Sequence, residues 1–214
     1  PALTNELVHR GMLVRDPTSS RVRFSSKLEA EVAYARLSRG HRSTVHRQAA
    51  LVLAQKGIDP DVVAEHFEKA GDTSEALDKY REGTNVYAER KERHRLIHCY
   101  RKACALALDL PGEESRFVED VLALIPMLLE AGKVGDVETL IVKAEDAAKS
   151  VGEPRLKVQV TAQRVQLMIS QNLFQEAGPI LNDALAKARE LRDGSLLSDL
   201  LAQAAEVAER DGRV

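Results

Sequence analysis

Apolar residues recur at helical spacing along most of the chain, in stretches several turns long that are separated by short polar corners. The stretch HFEKAGDTSEALDKY, residues 66–80, contains one such corner. Gly71 can take the left-handed conformation that ends a helix, and Asp72 with Glu75 three positions on has the spacing of a capping box. The spacing predicts helix, three-residue turn, helix. So short a connection makes antiparallel neighbours, each of which must bury a stripe against the other or against a third helix.

The pattern repeats. Leu96, Tyr100 and Ala103 recur at the same offsets as Val137, Ile141 and Ala144, and again as Ala177, Leu181 and Ala184; Ala103 to Ala144 is 41 residues and Ala144 to Ala184 is 40. Each marked helix has an upstream partner carrying Thr84 and Tyr87, Ile125 and Leu128, or Val165 and Met168, and the same period reaches Ala205 and Ala208 in the first half of a fourth unit. A fixed period of this length predicts a stacked array. The small-aromatic-small marks in LIHCYRKA resemble the second helix of a tetratricopeptide repeat, in a unit about six residues longer than the usual 34.

One helical hairpin cannot cover its own apolar stripe, but a stack shares a continuous core and curls into a superhelix with an inner groove. With first helices starting near residues 77, 118, 158 and 198, the tetratricopeptide pattern implies inward positions at Asp78, Arg81, Asn85, Glu119, Leu122, Gln159, Ala162, Gln166, Asp199 and Glu206. Of these, Arg81, Asn85, Gln159 and Gln166 can hydrogen-bond an extended ligand, so a protein or peptide partner is expected.

Residues 1–57 are patterned differently. Residues 3–10 predict a short helix ended by Gly11; MLVRD and RVRFS flank the turn-forming DPTSS and predict a hairpin with Val14 and Phe24 near its core. Helices follow near 27–38, with Leu28, Val32 and Leu37 on one side, and near 41–56, with Val45, Ala49, Val52 and Leu53 on one side. This order is consistent with a degenerate winged helix. Charge changes sign at the same place: residues 1–57 hold 10 Lys+Arg against 4 Asp+Glu, the remainder 21 against 29. Two modules are therefore expected, 1–57 and 58–214.

Three stretches then resemble a known family: LVHRGMLVR, VRFSSKLEAEVAYARLSRGHRSTVHRQAALVL and VAEHFEKAGDTSEALDKY. They are similar to the passage from winged helix to helical repeats in bacterial signal-transduction ATPases with numerous domains (STAND) and kinase-linked relatives. The matching positions are Gly11, Met12, Leu13, Phe24, Val32, Tyr34, Leu37, Arg42, His46, Ala50, Ala64, His66, Phe67, Ala70, Gly71, Asp72 and Ala76, within about residues 3–110. The family often carries a His two residues after the aromatic of the second strand, where this chain has Ser26. Any nucleotide-sensing role of that His has no matching residue here. The resemblance also implies that Arg36, Arg39, Arg42 and Arg47 form an intramolecular basic face rather than a nucleic-acid face, and RGHRSTVHRQ has no interleaved aromatics.

Chemistry is sparse. The sequence has no Gly-x-x-x-x-Gly-Lys, Gly-x-Gly-x-x-Gly or Gly-x-Ser-x-Gly, so nothing cradles phosphate or aims a serine. His94 and His98 lie one turn apart but lack further ligands with metal spacing, and read as an exposed pair. Cys99 and Cys104 fall on different faces of one helix and read as buried, unpaired thiols. No apolar run is long enough to span a bilayer and no signal peptide opens the chain, which suggests the cytoplasm. The start at Pro1 and the end within a helical pattern suggest a segment of a longer protein.

The sequence thus predicts a mostly α protein: a small degenerate winged-helix module, then a right-handed α-α superhelix of about three and a half tetratricopeptide-like units. The expected role is a non-catalytic interaction and sensor segment of a bacterial signalling or transcription regulator, with no cofactor and no metal. Two alternatives stay open. In one, the basic module contacts DNA and the repeats dimerise; in the other, a small metabolite binds inside the superhelix, favoured by a wide, partly apolar groove around Leu122, Ala162 and Gln166.

Overall fold

The computed structural model describes residues 2–17 and 22–210. It opens with α1 (Ala2–His9) and the strands β1 (Leu13–Arg15) and β2 (Val22–Phe24), paired antiparallel with Leu13 opposite Phe24 and Val14 opposite Arg23. α2 (Lys27–Arg36) and α3 (Arg39–Gln55) follow. The Ser26 side chain caps α2 by accepting from the Glu29 N–H at 3.1 Å, and Ser38 caps α3 by accepting from the His41 N–H at 3.3 Å. Ser26 therefore has a structural use of its own.

The remaining helices are α4 (Pro60–Ala70), α5 (Thr73–Glu89), α6 (Arg93–Ala107), α7 (Glu114–Glu130), α8 (Val134–Val151), α9 (Pro154–Ser170), α10 (Phe174–Leu191) and α11 (Gly194–Arg210). α5 with α6, α7 with α8 and α9 with α10 form successive hairpins, and α11 begins a fourth. Their first helices start at Thr73, Glu114, Pro154 and Gly194, about one turn before the expected starts near 77, 118, 158 and 198 but with the predicted period. The marks at Ala103, Val137, Ile141, Ala144, Ala177, Leu181 and Ala184 are all buried, as are Thr84, Tyr87, Ile125, Leu128 and Val165 in the partner helices. Ala205 is exposed instead, because no helix among the described residues covers that side of α11. The fold is a mostly α, tetratricopeptide-like superhelix preceded by a two-stranded sheet.

The corner recurs more often than glycine does. Gly71 has φ 85°, and the Asp72 N–H donates to the Phe67 carbonyl at 3.0 Å, closing the helix end. Gly112, Gly152 and Arg192 repeat the left-handed turn after the later second helices, and Lys91, Gly132 and Asn172 do so after the first helices. The expected capping box at Asp72 does not form: its carboxylate accepts from Arg47 Nε at 2.6 Å, tying α5 to α3.

The first 57 residues depart most from expectation. Val14 and Phe24 are exposed, and α2 buries no residue fully, leaving Leu28 and Val32 open. On α3, Val45 and Val52 face outward while Ala50 is buried and Leu53 and Ala54 pack on the core. The reason is that the inner face of α3 is half polar. Ser43 Oγ donates to the Ala70 carbonyl at 2.6 Å, His46 meets His66, and Arg47 holds Asp72. These groups satisfy one another and displace the valines that an apolar count would place inside.

Candidate binding groove

α7, α9 and α11 stand side by side as the first helices of three consecutive units, and their facing sides enclose a concave cavity of about 460 Å³. Leu122, Pro126 and Leu129 make one wall from α7, at the spacing that keeps residues on one helical face. Gln159, Ala162, Gln163 and Gln166 form the floor from α9 by the same rule. Leu196, Asp199 and Gln203 close it from α11, with Glu130 at the rim. Gln203 Nε2 donates to the Ala162 carbonyl at 3.2 Å, which couples α11 to the floor.

Of the residues expected to face a ligand, Leu122, Gln159, Ala162 and Gln166 come together here, joined by Asp199. Asp78, Asn85 and Glu119 are exposed outside the cavity, and Glu206 pairs with Arg210 at 2.9 Å. Arg81 is also elsewhere. It bridges α5 to α7, donating to Glu113 at 2.5 Å and to Asp120 at 2.9 and 3.0 Å, with only 17% of its side chain exposed. Burial pushes the Asp120 carboxyl up and outweighs the Arg81 pull that would lower it; burial also works against the Arg81 charge, but the two carboxylates hold its pKa above the ordinary value. Arg81 is thus a fastener between units, a role hidden from a sequence in which its partners lie 32 and 39 residues away. Pro126, Leu129, Gln163 and Gln203 were missed, although each lies three, four or seven residues from a groove position already expected.

A second fastener joins α4, α5 and α6. Tyr87 Oη donates to Asp61 at 2.6 Å, while Arg95 lies 4.2 Å from the Tyr87 ring centroid and reaches Asp61 and Asp59 at 2.5 and 2.7 Å. Burial works to raise the Asp61 pKa, yet Arg95 and Tyr87 together hold it below the usual carboxylate range. Cys99 and Cys104 are free and buried, and burial pushes both thiols up to about 12, so neither is a ready nucleophile. His98 is half-buried, edge-on to Tyr80 with ring centroids 6.0 Å apart, whereas His94 is exposed; they are not the exposed pair expected. No group of three His, Cys, Asp or Glu among the described residues is placed to hold a metal.

The basic residues divide. Arg36 and Arg39 are exposed, Arg47 is bound to Asp72, and Arg42 donates to the Leu37 carbonyl at 3.1 Å beneath the Tyr34 ring, 5.4 Å from its centroid. A cleft of about 720 Å³ at this junction is lined by Tyr34, Arg39 and Arg42 together with Glu68 and Lys69 of α4. Beside it a chain of side chains crosses three helices: Tyr34 Oη to His46 Nε2 at 2.9 Å, then His46 Nδ1 to His66 Nδ1 at 3.0 Å. Burial first, then the neighbouring cations, lower the pKa of both imidazoles.

A lowered folded-state pKa means that the unfolded chain binds more protons in this window. The contribution of the pair to stability is therefore complete above the unfolded value of about 6.5 and is lost as the pH falls through the lower folded values. Urea midpoints measured from pH 7.5 to 5 should fall with pH, and the fall should be smaller in His46→Gln/His66→Gln. An identical slope in the two proteins would remove the pair as its source.

Neither the protein-family models nor the curated proteins contain a match to this chain. Similarity appears among solved structures. The apo form of RapI aligns over 87% of this chain and 53% of its own, at TM-score 0.57 and 10% identity, so the present chain spans about half of that protein. BtubC (BKLC) from P. vanneervenii aligns over 87% of this chain and 85% of its own at TM-score 0.53 and 17% identity. A Podosopora anserina putative kinesin light chain with nearly identical TPR-like repeats aligns over 81% and 89% at TM-score 0.51 and 13% identity. At these identities the shared property is the fold: this chain is similar to tetratricopeptide-like repeat proteins.

Proposed function

We propose that this chain is a non-catalytic binding module whose groove between α7, α9 and α11 takes an extended polypeptide from a partner protein. The observation that carries this reading is the convergence of side chains from three successive first helices on one concave cavity. Repeat arrays present such surfaces at low cost in folding complexity, because each unit needs only its neighbours. In the wider setting suggested by the family resemblance, the segment belongs to a cytoplasmic bacterial signalling or transcription regulator, and the first 57 residues act as a winged-helix-like element. Their thin packing, with α2 lacking any fully buried residue, suits an element that changes position when the groove is filled. Such a shift requires a ligand with different affinity for the two arrangements. The inward engagement of Arg42 and Arg47 supports an intramolecular use of the basic residues over DNA contact.

The test is a displayed-peptide selection on the chain, followed by anisotropy titration of the winners. Gln166→Trp fills the floor and should weaken them by about tenfold or more, a loss of roughly 1.4 kcal/mol. Gln175→Trp, at an exposed position on α10, should leave them unchanged. Winners indifferent to Gln166→Trp would sink the groove reading. A second reading, a small-metabolite sensor, is favoured by the size and partly aliphatic lining of the cavity, which fall within the usual range for small-molecule sites. Metabolite-induced thermal shifts that Gln166→Trp abolishes, with no selectable peptide, would favour it.

A further inference from the structure

The groove is rich in acceptors and contains no cation. Its lining includes Asp199 and Glu130 but no Lys, Arg or His. The Oε1 atoms of Gln163 and Gln203 are buried without a hydrogen-bond partner. For Gln203 the orientation is fixed, because its amide nitrogen donates to the Ala162 carbonyl and leaves the oxygen as the open end. On the opposite wall Pro126 sits inside α7, so it withdraws the N–H that the Leu122 carbonyl, four residues back, would otherwise accept. A buried acceptor left unpaired costs about 1–3 kcal/mol until a donor arrives. Both residues line the groove, and rotation about the broad, soft terminal torsion of Gln163 turns its oxygen toward a ligand.

Resting on the polypeptide-groove reading above, we infer that the occupant is an extended segment that places a Lys or Arg among aliphatic side chains. An ammonium or guanidinium carries three to five N–H donors and no acceptor, the complement of this lining. Asp199 supplies the opposite charge: among the described residues it makes no ion pair, whereas Glu130 is already engaged by Arg93. The leucines of α7 and α11 then cover the aliphatic neighbours of the cation. A carboxylate-bearing segment would bring acceptors to acceptors and like charge to Asp199.

The test uses three fluorescein-labelled, amidated nonapeptides built from three Ala-Xaa-Leu units, with Xaa as Arg, Gln or Glu, titrated against the 214-residue chain. The Arg peptide should bind about fivefold tighter than the Gln peptide, with the Glu peptide weakest. Asp199→Asn, an exposed and nearly isosteric change, should bring the Arg and Gln peptides within about twofold of each other, and Gln166→Trp should abolish binding of both. Gln or Glu peptides that bind as well as Arg, while Gln166→Trp still abolishes binding, would overturn the cationic preference and leave the polypeptide groove standing. Binding of none of the three, or binding that Gln166→Trp leaves intact, would overturn both.

Discussion

Arg81→Met is expected to lower the stability of the chain by roughly 3 kcal/mol, the loss typical of removing one partner from a buried ion pair. The cost arises less from the missing attraction than from Asp120, which would stay largely buried beside Glu113 with no cation to offset its desolvation. Burial already pushes the Asp120 pKa up with Arg81 in place, so the variant should relieve itself in part by taking a proton. Urea unfolding followed by circular dichroism measures the loss. Adding Asp120→Leu should restore much of it, because the orphaned charge is then gone. If Arg81→Met alone stays within about 0.5 kcal/mol of the parent, the range of an ordinary surface change, Arg81 is no fastener. The result also bears on function. Loss of partner binding on changing Arg81 would report a loosened junction between α5 and α7, not a ligand contact, so groove residues such as Gln166 are the better probes.

Gly83→Ala is expected to destabilise the chain by about 1–2 kcal/mol, although alanine is the better helix former by about 1 kcal/mol. A Cβ at this position would come within 2.7 Å of Cys99 Sγ, and Cys99 is fully buried on α6. The same Cβ would lie 3.7 Å from Cys99 Cβ, an ordinary contact. Combining Gly83→Ala with Cys99→Ala should therefore remove the clash and reveal the helix-propensity gain, with a favourable coupling of at least about 1 kcal/mol. Strict additivity in this cycle would mean that α5 and α6 can part without cost, and that the close approach of the first complete hairpin is not what fixes its geometry.

Much of the architecture was legible in the chain because its information is local. The 40- to 41-residue spacing of Ala103, Ala144 and Ala184 located three second helices, and each of these alanines is buried where facing helices approach. Part of the cavity lining was legible by analogy with the tetratricopeptide pattern, which places Leu122, Gln159, Ala162 and Gln166 on the inner faces of first helices. The first 57 residues were harder to read. Its short strands and α2 are not stabilised by burial of their own, and the inward face of α3 uses Ser43, His46 and Arg47, whose partners Ala70, His66 and Asp72 lie 20 to 27 residues away. A hydrophobic count has no means of registering polar groups that enter the interior as pairs.

By itself the sequence determined helix phase, corner positions and the length of the repeat, since these depend on side-chain periodicity and on residues within one turn of each other. Only the tertiary structure decided which polar residues are fasteners and which line the cavity. Arg81 and Gln166 read alike as polar groups on first helices, but Arg81 meets two carboxylates from the next unit while Gln166 lines the cavity beside Gln203. Likewise, whether Asp72 caps its own helix or holds Arg47 depends on where α3 lies. Those outcomes turn on the packing of units tens of residues apart, because the desolvation and pairing of a charge are set by its neighbours in space.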